Sequence, residues 1–136
     1  MDLRSFLPMC LLRRVMRRYD GQLKQVIVLR TDLKMRRGKE IAQGAHASQL
    51  VGLKFRWNPF YRMWLDGRFT KVAVGIESEA ELKDLYNRAW LAEVPCSIIQ
   101  DGGKTEFKGV PTFTAVAVGP GDPEVVKQLT QHLKLR

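Results

Sequence analysis

The apolar positions along this chain change period from one stretch to the next, and the changes mark out elements. Gln25-Val26-Ile27-Val28-Leu29 is a continuous β-branched and apolar run, the composition of a strand covered on both faces. After a polar loop at 31–38, residues 39–53 take helical spacing. Ile41, Ala45, Ser48 and Gly52 fall within one narrow arc of the helical wheel, with Lys39, Gln43, His46 and Leu50 opposite. An arc of small residues predicts a helix seated close on a sheet through that face. Trp57-Asn58-Pro59 breaks the chain, residues 60–65 have room for a short helix, and Asp66-Gly67 turns it.

Lys71-Val72-Ala73-Val74-Gly75-Ile76 reads as a second strand. Ser78-Glu79-Ala80-Glu81 then supplies a capping box, and Leu82, Leu85, Tyr86 and Ala89 follow at helical spacing. Cys96-Ser97-Ile98-Ile99-Gln100 gives a third strand after Pro95, and residues 112–118 a fourth. Asp122-Pro123, a cap followed by a first-turn proline, opens a last helix through Val125, Val126, Leu129 and Leu133. Strands alternating with helices predict an α/β fold: a single three-layer α/β/α domain with a four-stranded central sheet. The last two strands have no helix between them, which makes that sheet mixed.

Composition agrees with a single ordinary globular core: 136 residues, 45% hydrophobic and 27% charged. Cys10 and Cys96 are too few for a disulfide framework or a four-cysteine zinc site, so a reducing, cytoplasmic setting is expected. The net charge of +9 predicts a polyanionic partner, nucleic acid before an anionic membrane. That charge is uneven. Residues 22–71 carry eleven Lys and Arg against three carboxylates, whereas residues 72–93 carry five carboxylates against two cations. Such asymmetry favours one binding face over scattered solubilising charge.

Residues 1–21 add five arginines against two aspartates. Their apolar stretch at 5–12 is too short to span a membrane, and Asp2 and Arg13-Arg14 spoil a secretory signal. The segment is expected to be an N-terminal extension to a domain at 22–136. A dispensable leader, a basic arm, or sequence upstream of a start at Met9 or Met16 all remain open.

Most chemical motifs fail on inspection. Gly38-Lys39 lacks the first glycine of a phosphate-binding loop, since position 33 is Leu, and Glu40 replaces the magnesium-holding hydroxyl. Gly119-Pro120-Gly121 ends in Glu124 rather than a dinucleotide fingerprint's third glycine. His46 and His132 lack neighbouring ligands at zinc spacing, so no metal is expected. Two places survive. One is the loop Thr31-Asp32-Leu33-Lys34-Met35-Arg36-Arg37-Gly38-Lys39 at the end of a central strand, with the helix face Lys39, Gln43 and His46; α/β sheets bind ligands at such positions. Its bland alternative is a solvated basic loop. The other is Asp101-Gly102-Gly103-Lys104-Thr105-Glu106, an ordinary turn signal that also carries a carboxylate and a hydroxyl able to orient a water and steady an oxyanion.

At these residues the chain resembles the archaeal and eukaryotic type of peptidyl-tRNA hydrolase, type 2, over residues 24–136. The matching segments are Lys24-Gln25-Val26-Ile27-Val28, Thr31-Asp32-Leu33-Lys34-Met35, Gly38-Lys39 with Ala42-Gln43 and His46-Ala47, Asp101 to Thr105, Ala117-Val118-Gly119-Pro120 and His132-Leu133-Lys134-Leu135, in family order and spacing. The resemblance implies hydrolysis of the ester between peptide and tRNA, a four-stranded mixed sheet between helix layers, a homodimer, and neither metal nor organic cofactor. It assigns Lys39, Asp101 and Thr105 to catalysis and Gln43, His46 and Thr114 to supporting positions, and it places Lys34, Arg36 and Arg37 against tRNA phosphates.

The sequence departs from the family at Arg36-Arg37, where a small residue and a Lys are usual, at Lys104, and in a loop between Thr105 and Thr114 about one residue longer. The competing reading is a non-catalytic RNA-binding or protein-interaction module on the same fold, which would not require Lys39, Asp101 and Thr105 together. A membrane-surface protein is a distant third. Trp57, Phe60, Tyr61 and Trp64 admit two placements, an exposed aromatic contact or burial under the sheet.

Overall fold

The computed structural model describes Pro8, Cys10, Leu11, Arg14, Arg17–Tyr19 and residues 21–136. Most of the extension assigned to 1–21 therefore lies outside the described residues. Elements follow as β1 (Gln25–Arg30), α1 (Arg37–Phe55), α2 (Pro59–Asp66), β2 (Lys71–Ile76), α3 (Glu79–Leu91), β3 (Cys96–Asp101), β4 (Thr112–Val118), α4 (Pro123–Thr130) and β5 (Lys134–Leu135). The sheet order is β3-β4-β1-β2-β5, with β1 and β2 parallel and β4 antiparallel to both β1 and β3. The fold is thus α/β with a mixed sheet, as the element order predicts.

The sheet has five strands rather than four. Leu133, read from the sequence as the last apolar position of the final helix, lies beyond α4, which ends at Thr130; the chain then turns and pairs Lys134 and Leu135 with Gly75 and Val74. A two-residue strand is too short to show a period.

Both N-cap side chains act as the sequence suggests, while the Glu81 carboxylate returns to the Glu77 amide at 3.3 Å and not to that of Ser78. Ser78 Oγ accepts from the Glu81 amide at 3.1 Å, and Asp122 Oδ1 from the Glu124 amide at 3.0 Å. Asn58 adds a cap that the sequence suggested only as a break, its Oδ1 accepting from the Phe60 and Tyr61 amides.

Alternation along the strands divides the core between the two faces. Val26, Val28, Val74, Ile76, Val116 and Val118 pack against Leu82, Leu85 and Ala89 of α3 and Val126 and Leu129 of α4. On the other face Leu29, Ala115 and Ala117 meet Ala47 and Val51 of α1. Leu82 is wholly buried at the centre of the larger cluster. Leu82→Ala is expected to cost about 2–5 kcal/mol of unfolding free energy, read from urea midpoints, because transfer and cavity terms add.

The face by which α1 meets the sheet is not the one predicted. Ile41 is 66% exposed and Ala45 also faces out, while Gln43, Gly44, Ala47 and Val51 are buried. Small residues still bring the helix close: a Cβ at Gly44 would meet Ile27 Cγ2 at 3.2 Å. The aromatic segment is likewise divided. Phe60 and Trp64 are buried with Leu23, but Trp57 stands exposed. Among the described residues no helix is long and apolar enough to cross a membrane.

Candidate active site

At the carboxyl end of β1, buried Arg30 clamps the turn into the next loop. Its Nε and Nη2 hold both Asp32 oxygens at 3.1 and 2.7 Å, and Nη1 donates to the Phe113 carbonyl at 2.9 Å. The loop then enters α1 at Arg37, which puts Arg37 and Lys39 in the first turn. Cations are disfavoured at that end of a helix, where the dipole is positive. Local propensity therefore loses here, as it does where a site needs the charge.

Lys39 reaches across to β3 and the loop after it. Its Nζ donates to Asp101 Oδ1 at 2.7 Å and to Thr105 Oγ1 at 2.9 Å, with only 14% of either the Lys39 or the Asp101 side chain exposed. One turn on, Gln43 projects from the same helix side. Its Nε2 lies 3.4 Å from Asp101 Oδ1, and its Oε1 accepts from the buried Thr114 hydroxyl at 2.5 Å. Gln43 is buried because both ends of its amide are partnered. Asp101 Oδ2 accepts from the Gly103 amide at 2.9 Å, closing a tight turn within the loop.

Gly103 has φ +82°, and a Cβ there would lie 2.5 Å from the Val110 carbonyl oxygen, so the turn that carries Thr105 requires glycine at this position. The bonded Lys39 ammonium is the main cause holding the Asp101 carboxyl below its ordinary range. Burial works against it, while the Gly103 amide and the charges of Lys39 and His46 assist.

Lys39, Gln43, Asp101, Thr105 and Thr114 thus form one connected polar network. His46 is exposed on the next turn, near enough for its charge to act on Asp101. Lys34, Arg36 and Arg37 are exposed around the same end of the sheet, and Arg36 Nε is bonded to Glu106 at 2.8 Å. Gly103 and Glu106 lie in the loop that the sequence singles out, but the bond of the Gly103 amide to Asp101 and the pairing of Glu106 with Arg36 are not read from it; Phe107, whose ring lies 5.8 Å from Lys39 Nζ, carries no signal in the sequence.

Residues 23–136 match the sequence model of the family described as peptidyl-tRNA hydrolase PTH2. The chain belongs to that family. Among its relatives, the peptidyl-tRNA hydrolase of Methanocaldococcus jannaschii is 45% identical over 116 residues, covering 83% of this chain and 99% of its own. The peptidyl-tRNA hydrolase of Aeropyrum pernix is 43% identical, over 82% and 94%. That of Sulfolobus acidocaldarius is 35% identical, over 83% and 99%. A solved structure of a protein of unknown function from Agrobacterium tumefaciens aligns with TM-score 0.57 at 10% identity, over 85% of this chain and 98% of that one. At that identity it shares the fold alone.

Proposed function

We propose that this chain hydrolyses the ester joining the peptide to the ribose hydroxyl at the tRNA 3′ end, with Lys39, Asp101 and Thr105 as its catalytic residues. The observation that carries this reading is the convergence, within hydrogen-bond reach, of an ammonium from α1 with a carboxylate and a hydroxyl from the end of β3 and the loop after it, 62 and 66 residues away. Asp101 Oδ1 receives two donors and Oδ2 one, which leaves Oδ2 the freer oxygen to take a proton from the attacking water.

Lys39 directs two of its three N–H groups at Asp101 and Thr105; the third is available to the tetrahedral oxyanion. Thr105 accepts from Lys39 and so keeps its own O–H to hold water or ester. Thr105 as nucleophile is less well supported, because the amine beside it is donating rather than accepting. Gln43 and Thr114 orient Asp101, and His46 is a supporting side chain on the next turn of α1. Lys34, Arg36 and Arg37 meet tRNA phosphates at the rim, with Glu106 setting the angle of Arg36. This scheme uses no metal or organic cofactor.

The same reading has the protein working in the cytoplasm as a homodimer, with residues 1–21 an extension to the catalytic domain. The exposed apolar side chain of Ile41 beside Ala45 and Ala73 supports a face covered by a second copy. Release of label from an N-blocked aminoacyl-tRNA tests the activity. Release well above that of a Lys39→Ala control is expected. Equal release, with tRNA binding retained, would favour the non-catalytic RNA-binding module instead.

A further inference from the structure

The basic charge of the first half does not all lie at the catalytic end. α1 carries Arg37 and Lys39 in its first turn, then no charged residue from Ile41 to Leu53, and beyond it a second basic group begins. Phe55 lies about 24 Å along the helix from Lys39, at 1.5 Å per residue. Beyond that far end the chain carries Arg56, Arg62, Arg68 and Lys71, with Asp66 as the one carboxylate between residues 53 and 71.

Aromatic rings hold three of these cations. Exposed Trp57 has the Arg56 and Arg62 guanidinium carbons 5.3 and 5.5 Å from its ring centroid, and Lys71 Nζ sits 3.1 Å from the centroid of the half-exposed Phe69. Trp57 is 73% exposed and contributes to no core cluster, so its packing value to the fold is small. What it does is hold two guanidinium groups against one ring at low entropic cost, the preorganisation that phosphate recognition uses. The opposite face of the sheet has no such basic surplus: α3 there carries Glu79, Glu81 and Asp84 against Lys83 and Arg88, which pair with Glu79 and Asp84 at 3.6 Å.

Resting on the hydrolase reading, we infer that Arg56, Trp57, Arg62 and Lys71 form a second tRNA contact, gripping the sugar–phosphate backbone of the substrate's helical stem while its 3′ end lies at Lys39 and Asp101. Two basic ends of one helix, separated by a neutral ridge of Ala42, His46, Gln49 and Leu53, suit a rigid double-stranded rod read by its backbone and not by its bases. The surface distinguishes substrates by length: a fragment reduced to the last few nucleotides reaches the catalytic end only.

The test compares wild type, Arg56→Glu/Arg62→Glu and Trp57→Ala on an N-blocked aminoacyl-tRNA and on the same aminoacyl group attached to a 3′-terminal trinucleotide. With the tRNA, the double variant is expected to raise KM about tenfold with kcat little changed, and to flatten the salt dependence of deacylated-tRNA binding by about one to two phosphate contacts. With the trinucleotide, kcat/KM is expected to stay within twofold. Trp57→Ala is expected to act in the same direction more weakly. Equal losses on both substrates, or no change with the tRNA, would overturn the inference. So would binding of wild type to phosphatidylserine vesicles that the double variant loses while its tRNA KM is unmoved, since the patch would then be a membrane surface. Binding of deacylated tRNA is read without turnover, so an inactive wild type would sink the hydrolase reading and still leave this contact measurable.

Discussion

Asp101→Asn is expected to lower kcat/KM on peptidyl-tRNA by about 10²–10⁴, the usual cost of removing a general base. Asparagine has the same shape but cannot take the proton from water. It also upsets the local bonds. If its oxygen stays with Lys39 and Gln43, its amide group faces the Gly103 N–H, donor against donor, where Asp101 Oδ2 now accepts.

The loop bearing Thr105 therefore loses an anchor as well, which places the expected loss toward the upper end of that range. Binding of deacylated tRNA and the thermal midpoint separate this from general damage; binding is expected to change little, and the midpoint to fall only by what the lost Lys39 pair and the one loop contact contribute, because the core is untouched. Turnover within about threefold of wild type would remove Asp101 from the role of base.

How far such a site is legible in sequence depends on which forces set each part. Strand runs, the Ser78 cap and the Asp122-Pro123 helix start are local, and local composition announces them. The orientation of α1 is not local. Hydropathy puts Ile41 inside and Gln43 outside, and the reverse occurs because Gln43 is satisfied by Thr114, 71 residues away, and turned toward Asp101, 58 residues away. Burial of a polar side chain follows its partners, which no window of the sequence contains.

The meeting of Lys39 with Asp101 and Thr105 spans 62 and 66 residues in the same way; spacing alone left it a suggestion, and the family resemblance singled it out. β5 escaped for a different reason, being too short to carry a period. The fifth strand extends the sheet edge beside β2 and is followed by Arg136, whose guanidinium pairs with both oxygens of Glu40 next to Lys39 in sequence. Arg136 is therefore tied to the first turn of α1, beside Lys39.

Lys39→Met tests the other half of the site, and two effects oppose each other in it. Without the ammonium, Asp101 loses the main influence holding its carboxyl low, while burial continues to push it up. A carboxylate with a higher pKa is a stronger base, which favours rate. Against this stands the loss of the N–H aimed at the oxyanion, where removing one such donor costs about 10²–10³ in kcat.

The second effect is the larger, so kcat at neutral pH is expected to fall by roughly that factor. The first effect is visible in the pH profile. In wild type, Asp101 remains ionised well into acid, and activity limited by it falls only as pH drops through that depressed value. In Lys39→Met the acid limb is expected to move to higher pH. Folding should follow the same sign: the pair stabilises the wild-type protein above the ordinary carboxylate range, and that contribution is lost as pH falls through the depressed value. A loss of rate with an unmoved acid limb would show that Lys39 acts on the ester without governing the charge of Asp101. A moved limb with wild-type kcat would show the reverse. Only the two changes together fit a lysine that both keeps the base ionised and steadies the oxyanion.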